Sequence, residues 1–377
     1  MMKEDNRNLL LAIVMSVVVL LGWQFFYGVP QMEKQKQAAQ QAQSQQAPAA
    51  SGSTPVPGTP GQPAGSAVPG TAALQQIGTR EQALAASARV KIDTPKIAGS
   101  LSLTGARIDD VSLKAYRETV DPKSANIVLL SPIGGPNAYY SDFGWVAAPG
   151  TTVALPNATT VWTADNQTLT PAKPVTLSWD NGQGLIFKRA ISVDDNAMFT
   201  IRDEVENKGG AAVTLFPYGQ IVRQGKPTTL GYYVLHEGLV GNLGEQGLQE
   251  YTYDKLDKEP LLSPGTTGKS WKDAVGGFVG ITDKYWAAAV IPDQQRKYEG
   301  RYSAVQTATG HTYQADFLGE GVAVAPGATA SSNARLFAGA KEVAAIDGYE
   351  KNLGIKRFEL LIDWGWFYFI TKPLFFV

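Results

Sequence analysis

The stretch GGFVGITDKYWAAAVIPD, Gly276 to Asp293, shows most clearly how this chain folds. Two runs of small, apolar and aromatic residues, Gly277–Thr282 and Tyr285–Ile291, flank the polar pair Asp283-Lys284. This arrangement is typical of a β-hairpin, in which a tight turn joins two antiparallel strands. The stretch therefore predicts two neighbouring strands with a polar turn between them.

The same pattern extends in both directions, from about Ser87 to Leu336. A second hairpin is expected where Asp194-Asp195-Asn196 separates Leu185–Val193 from Phe199–Glu206. Many short strands at intervals of about ten residues predict a mainly β fold, a large antiparallel β-sandwich. The other predicted strands are Arg89–Asp93, Ala106–Val111, Ile127–Leu130, Val175–Trp179, Val213–Phe216, Gly219–Arg223, Tyr232–Leu235, Val305–Thr307, Thr312–Phe317 and Ala330–Phe337.

Composition excludes several classes of function. The net charge is -1, with 33 Lys and Arg against 34 Asp and Glu, whereas nucleic-acid binders normally carry a basic surface. With no cysteine, the chain has no disulfide, no cysteine-ligated metal and no cysteine nucleophile. His236 and His311 are too few for a His-rich metal site. We expect no cofactor, no metal and no nucleic-acid partner.

The N-terminus contains one long apolar run, Leu9 to Tyr27. These residues span about 29 Å as a helix, close to the thickness of the hydrocarbon core. A cleaved signal peptide is the rival interpretation, but no small-x-small cleavage site follows the run. An aromatic belt at Trp23, Phe25 and Tyr27 follows instead, which is typical of a membrane interface. The pattern predicts an uncleaved transmembrane helix over 9–27.

Residues 1–8 are expected in the cytoplasm. Lys3 and Arg7 before the apolar run favour this orientation and Lys34 and Lys36 after it oppose it, but the rest of the chain has the character of a stable exported domain without cysteines. Residues 28–86 form a predicted disordered linker. This region is rich in Gln, Ala, Pro and Gly, and it cannot bury enough apolar surface to offset the loss of chain entropy. The β-domain is expected over 87–339, on the periplasmic side.

A helical connection is predicted over 340–366. Val343, Ile346, Tyr349 and Leu353 lie on one helical stripe, which is expected to pack on the sandwich. From Ile355 to Trp366 the apolar residues lie opposite the charged ones, which favours a helix lying in the membrane interface.

The start of a second transmembrane helix is predicted over 367–377, where the sequence is strongly apolar and aromatic. Trp364, Trp366 and Tyr368 come together just before or within this run. Because Trp and Tyr prefer the membrane–water boundary, these three residues are predicted to lie at the interface.

Familiar catalytic motifs are absent from the sequence: there is no Walker loop, no G-x-S-x-G elbow and no H-E-x-x-H. His236-Glu237 could form an acid–base pair, but a histidine of a strand or turn without a catalytic role is expected. The acidic pairs Asp109-Asp110, Asp194-Asp195 and Asp203-Glu204 are expected to be turn and rim charges, because neighbours on a strand point to opposite faces. We therefore predict no catalytic residues.

Several of these blocks occur together in one known family. They are the N-terminal anchor with Trp23, the linker, the 276–293 hairpin, APG…ARLFAGAKE from Ala325 to Glu342, and IDWGWFYFITKPLFF from Ile362 to Phe376. In this order the chain resembles the N-terminal part of bacterial YidC-type membrane protein insertases. The resemblance implies a first transmembrane helix, a periplasmic β-supersandwich similar to sugar-binding and mutarotase-like domains, and a helical connection to a second transmembrane helix.

The resemblance also implies a function. Such proteins assist the insertion and folding of nascent inner-membrane proteins, alone or with the Sec translocon, and they are not enzymes. In the family, five further helices form a hydrophilic groove with an essential arginine. That part would follow Val377, so this chain is expected to hold only the anchor and the periplasmic half.

Two alternatives remain open. The first is a membrane-anchored periplasmic carbohydrate-binding or mutarotase-like domain. It would need His236 or His311 to meet a carboxylate inside a deep groove. The second is a passive envelope scaffold with one anchor. The apolar run near the C-terminus argues against it.

Overall fold

The computed structural model describes residues 78–228, 235–307, 310–365 and 368–375. The predicted membrane helix at 9–27, most of the predicted linker 28–86 and most of the predicted strand Tyr232–Leu235 lie outside these residues. Among the helices that the structure describes, none is long and apolar enough to cross a bilayer.

Two β-sheets of twelve and nine strands form most of the described chain. The mainly β, antiparallel prediction is confirmed; one short pair, β1 with β7, is parallel. The larger sheet contains β1 (Arg89–Asp93), β2 (Ile97–Ser102), β3 (Arg107–Arg117), β4 (Asn126–Leu130), β5 (Tyr139–Ala147), β7 (Thr168–Leu169), β11 (Val213–Gln224), β14 (Leu261–Ser263), β15 (Thr266–Val275), β18 (Lys297–Thr307), β19 (Gly310–Gly319) and β20 (Val322–Val324). The smaller sheet contains β6 (Thr163–Ala164), β8 (Val175–Asp180), β9 (Leu185–Val193), β10 (Met198–Asn207), β12 (Gly238–Leu243), β13 (Leu248–Tyr251), β16 (Gly277–Thr282), β17 (Trp286–Ile291) and β21 (Thr329–Ala340).

The order of strands in the larger sheet is β14-β15-β18-β19-β11-β5-β3-β2-β1-β7, with β20 beside β11 and β4 beside β3. The smaller sheet runs β13-β12-β16-β17-β21-β10-β9-β8-β6. In the part of the chain that the structure describes, helices are few and short. They are α1 (Arg80–Ala85), α2 (Tyr253–Leu256), α3 (Val343–Leu353) and α4 (Tyr368–Phe375), with 3-10 turns at Gly244–Gln246 and Phe358–Leu361.

Both predicted hairpins are present. In β16–β17, Thr282 pairs with Ala287, and in β9–β10, Val193 pairs with Phe199. The sheets pack face to face because alternate residues of each strand are apolar. In β19, for example, Tyr313, Ala315 and Phe317 enter the core. The hydroxyl of Tyr139 donates to the carbonyl of Ile281 at 3.2 Å and so links the two sheets.

The described domain begins inside the region predicted as linker. Thr79 and Gln82 form a reciprocal capping box at the start of α1. Ala83 is buried, and Arg80 forms an ion pair with Asp110 of β3. The prediction of a linker up to residue 86 is therefore wrong for 79–86, because the capping box and these contacts order the segment.

Strand β11 is continuous, although two strands were predicted there. Pro217 lies inside it, opposite Trp145 of β5. On the other side of β11, residues 213–215 pair with β20 and residues 218–224 pair with β19. Pro217, which lacks an amide donor, thus stands where the neighbouring strand changes, a position that tolerates proline.

Three of the predicted rim charges are instead buried. Asp109 pairs with Arg89, and its side chain is 2% exposed. Asp203 pairs with the buried Arg189, the two groups lying 2.6 Å apart. Asp109 and Asp110 can both be buried because the β2–β3 pairing skips Asp109, a β-bulge that breaks strict alternation.

Candidate functional site at the C-terminal junction

We use the name C-terminal junction for residues 341–365 and 368–375, which follow β21. Its first helix, α3, packs on the face of the smaller sheet that points away from the core between the sheets. Ile346 and Tyr349 of the predicted stripe are buried there. The prediction that the stripe packs on the sandwich is confirmed for Ile346, Tyr349 and the half-buried Leu353. The buried members of this cluster are Met198, Val240, Phe278, Ala287, Ala289, Ile291, Phe337, Ile346, Tyr349, Ile355, Phe358 and Leu361.

Phe358 stands at the centre of this cluster and is 0% exposed. Its ring meets the rings of Phe278 and Phe337 edge to face, with centroid distances of 5.2 and 5.7 Å. A third edge contact, at 6.2 Å, joins it to Tyr349 of α3. Aromatic rings favour this arrangement because the positive edge of one ring faces the negative face of the next. Phe358 thus joins α3 to both β16 and β21.

The interfacial helix predicted from Ile355 to Trp366 is wrong. Gly354 ends α3 with a left-handed backbone (φ 65°), and Arg357 is also left-handed (φ 57°). After these two reversals only a 3-10 turn forms, at Phe358–Leu361. Its apolar residues Phe358 and Leu361 are buried against the sheet, and so they are not available to a membrane.

Polar contacts hold α3 at its start and near its middle. Glu342, just before the helix, forms an ion pair with Lys96 and accepts a hydrogen bond from the hydroxyl of Tyr116 at 3.2 Å. Further along, the hydroxyl of Tyr349 donates to Asp194 at 2.8 Å. The helix is therefore fixed to the larger sheet through Glu342 and to the β9–β10 turn through Tyr349.

A lysine of helix α4 contacts both preceding elements of the junction. The ammonium of Lys372 lies 3.0 Å from Asp347 of α3 and 2.6 Å from Glu359 of the 3-10 turn. Its nitrogen also lies 5.7 Å from the centroid of the Trp364 ring, a cation–π geometry. Lys372 was not among the predicted site residues. Its signal was present, because it is the one cation of the apolar run 364–377.

Of the six predicted interface residues, Trp364 alone has a described side chain. It is half-buried, and its carbonyl accepts a hydrogen bond from the Thr371 hydroxyl at 2.7 Å. Tyr368 is the first residue of α4, but its side chain lies outside what the structure describes. Trp23, Phe25, Tyr27 and Trp366 also lie outside the described residues. Their place at a membrane interface stays a prediction.

His236 has a structural contact in the junction. Its backbone N–H donates to Asp363 at 2.7 Å, and its Nε2 lies 2.8 Å from the carbonyl of Leu239. Burial raises the pKa of nearby Glu250, and the charge of Asp363 adds to this rise. His236 thus connects the start of β12 to the segment that leads into α4.

Lys341 is the first residue of the junction and is largely buried. Its ammonium donates to the hydroxyl of Thr282 at 2.9 Å. Burial lowers the pKa of Lys341 to about 8, and the carboxylates of Asp283, Asp363 and Glu237 only partly oppose this effect.

His311 does meet a carboxylate. Its Nδ1 lies 2.7 Å from Asp257, which also accepts a hydrogen bond from Tyr313 at 3.1 Å. The side chains of His311 and Asp257 are 35% and 22% exposed. The pair therefore lies at a partly open edge. Within the described residues, no three His, Asp or Glu side chains are grouped so that they could hold a metal ion.

The comparison with a family model and the comparison with individual proteins lead to the same family. The YidC periplasmic domain family matches residues 89–377. Membrane protein insertase YidC of Methylobacterium nodulans is 57% identical over 380 residues, which cover 99% of this chain and 61% of that protein. The protein of the same name from Bradyrhizobium diazoefficiens is 51% identical over 391 residues, covering 99% of this chain and 62% of that protein. The chain thus spans about three fifths of the length of these relatives.

Solved structures share much less of the sequence. A galactose mutarotase related enzyme from Lactobacillus acidophilus has 10% sequence identity and a TM-score of 0.46, and the match covers 66% of this chain and 97% of that chain. A likeness at this level carries no argument about a ligand or a reaction.

Proposed function

We propose, because the chain belongs to the YidC periplasmic domain family, that it forms the anchor and periplasmic half of a membrane protein insertase of the bacterial inner membrane. Residues 9–27 would be the first transmembrane helix, 28–78 a tether, and the two sheets a periplasmic β-supersandwich. Helix α4 would be the start of the second transmembrane helix. The substrates would be nascent inner-membrane proteins.

An insertase needs no covalent catalysis. Polar groups are costly in hydrocarbon, each unsatisfied group by several kcal/mol, and a polar groove within the protein lowers this cost. The present chain would contribute to this process by positioning the second transmembrane helix. Its junction determines where, and at which angle, the second helix leaves the periplasmic domain.

One observation carries the proposal. Each described element on the path from β21 to α4 has a fixing contact: α3 through Glu342, the 3-10 turn through Phe358, and α4 through Lys372. A passive tether would not need such contacts, because any flexible segment could join a domain to a helix. A rigid path transmits the position of the domain to the membrane helix.

The test uses a full-length insertase that contains this chain, in cells depleted of their own insertase. Replacing Trp364 and Trp366 by Ala should weaken the seating of the second helix. Insertion of a reporter membrane protein should fall, and protease cleavage near residue 366 should rise. Leu261→Ala, an exposed change on β14, is the matched control. If reporter insertion and protease cleavage are both unchanged in the tryptophan variant, the proposed role of this junction is contradicted.

We also propose that the periplasmic domain docks on components of the Sec translocon, which the family resemblance suggests. The described surface does not single out residues for this contact. Photo-crosslinking from exposed positions on both sheets would locate it, and the absence of crosslinks to the translocon from every position would contradict it.

A second candidate function rests on the His311–Asp257 pair, which supplies the histidine–carboxylate contact that a carbohydrate-binding or mutarotase-like domain would need. Isothermal titration of the chain with galactose and glucose tests this candidate, with His311→Ala as the comparison. Binding that His311→Ala abolishes would support it, and no heat from the parent chain would eliminate it.

A further inference from the structure

The turn between β16 and β17 exposes an aromatic ring at its tip. Tyr285 is 56% exposed, one of the more exposed large apolar side chains of the described residues. The ammonium of Lys284 lies 4.8 Å from its ring centroid, and the ring of Trp286 lies 5.8 Å away. We call Lys284, Tyr285 and Trp286 the hairpin tip. Trp286 is half-buried and packs against the core between the sheets, so Tyr285 is the ring that this turn presents to solvent.

The hairpin tip lies at the end of the smaller sheet where the C-terminal junction begins. The backbone N–H of Lys341 donates to the carbonyl of Tyr285 at 2.8 Å. At the base of the tip, Thr282 pairs with Gly238, the first residue of β12. Two residues before Gly238, His236 binds Asp363, which is adjacent to Trp364. The tip and the segment leading into α4 therefore share one end of the sandwich.

Other apolar side chains are exposed close to this end. Ile370 and Leu374 of α4 are 46% and 64% exposed. Val120 is fully exposed in the turn after β3, the strand whose Tyr116 contacts Glu342. Lys341 and Glu342 are consecutive, so the end of β21 contacts the hairpin tip on one side and β3 on the other. Ile370 and Leu374 thus lie in α4 itself, and Val120 follows a strand that contacts the start of the junction.

The chemistry of the hairpin tip suits a lipid surface better than a protein partner. An exposed Tyr ring such as that of Tyr285 favours the headgroup region, because its apolar body can enter the bilayer surface while its hydroxyl stays in water. A lysine beside them can contact lipid phosphates, with about 1 kcal/mol gained near an anionic surface. A stable protein interface needs a much larger area than one turn offers.

We propose that the hairpin tip docks in the headgroup region of the bilayer beside the second membrane helix, and that it sets the distance between the β-domain and the membrane. This inference rests on the proposed function, since it requires α4 to lead into the bilayer. The contact would give the domain a second point of attachment, and so limit its tilt about α4.

The chain has no cysteine, so single labels can be placed without removing native thiols. We would introduce one cysteine at a time into the full chain in phospholipid vesicles, attach an environment-sensitive dye, and measure quenching by lipids that carry a nitroxide near the headgroup. Lys284→Cys reports on the tip and keeps both rings. Ile370→Cys reports on α4. Ala212→Cys is the control, because Ala212 is exposed and precedes β11 at the end of the sandwich opposite Arg223, which pairs with Asp283.

We expect loss of dye fluorescence at 284 and 370 and none at 212. Adding Tyr285→Ser to the Lys284→Cys variant should restore fluorescence at 284, because the ring that seats the tip is gone. Quenching at 370 without quenching at 284 would overturn the docking of the tip and leave the proposed function standing. No quenching at 370 would instead remove the proposed membrane entry of α4. Quenching at 284 that Tyr285→Ser leaves unchanged would show that the ring does not seat the tip.

Discussion

Lys372 of α4 lies 2.6 Å from Glu359, a residue thirteen positions earlier that belongs to the 3-10 turn packed on the smaller sheet. The same ammonium reaches Asp347 of α3 at 3.0 Å. One side chain thus connects three consecutive elements of the junction. Because the side chains of Lys372 and Glu359 are only 19% and 12% exposed, solvent screens this pair less than an ordinary surface ion pair.

Lys372→Met should release α4 from the junction. Losing hydrogen bonds to two carboxylates is expected to cost about 1–3 kcal/mol locally. Amide hydrogen exchange over residues 343–361 would measure this local loss of stability, and the amide protons should exchange faster than in the parent chain. Lys351→Met, which changes an exposed lysine of α3, is the control. Equal exchange in the two variants would show that the contacts of Lys372 do not hold the junction.

Phe358→Ala should be the most damaging single change in the junction. The ring is completely buried among aromatic neighbours, and Phe→Ala at such a site costs about 3–5 kcal/mol. Denaturant unfolding of the chain would measure the loss. Leu261→Ala, at a side chain that is 67% exposed, should stay within about 0.5 kcal/mol of the parent. A similar small effect at Phe358 would mean that the 3-10 turn does not contribute to the fold.

Tyr349→Phe tests the attachment of α3 to the β9–β10 turn. Burial raises the pKa of Tyr349, so its hydroxyl stays protonated and donates to Asp194. Removing this donor should lower the free energy of unfolding by about 1–2 kcal/mol. Tyr285→Phe removes an exposed hydroxyl and is the matched control. The hydrogen bond would be energetically irrelevant if both variants unfolded at the same denaturant concentration.

Lys341 makes the stability of the domain depend on pH in alkaline solution. Burial lowers its pKa to about 8 in the folded chain, from an ordinary 10.5. Between these pH values the unfolded chain binds more protons at this site, so the free energy of unfolding should rise with pH. The full rise is about 3 kcal/mol, from 1.36 kcal/mol per pKa unit.

The comparison with Lys341→Met isolates this contribution, because tyrosines that titrate in the same range are common to both proteins. The parent should gain stability relative to the variant as pH rises from 8 towards 10.5. Loss of the Thr282 hydrogen bond adds a constant offset and leaves the slope unchanged. Parallel stability profiles for the two proteins would contradict the burial of a charged Lys341.

Much of the sheet structure could be predicted because its signals are local. The hairpin around Asp283-Lys284 follows from alternating small and apolar residues beside a polar turn, and a turn needs only its own residues to form. The helical stripe of Ile346 and Tyr349 was likewise visible in the spacing. The 3-10 turn was not, because two left-handed residues, Gly354 and Arg357, redirect the chain and Arg gives no sign of such a conformation.

The sequence by itself determined the fold class, both hairpins, the packing stripe of α3 and the family. These depend on periodicity and on local blocks that a single strand or helix carries. Tertiary structure alone decided which charges became buried pairs and how the junction is held. Lys96 and Glu342 are 246 residues apart and meet only because the packing of the two sheets brings the end of β21 to the β1–β2 turn. The β-bulge at Asp109 likewise depends on the partner strand, since register is a property of two strands.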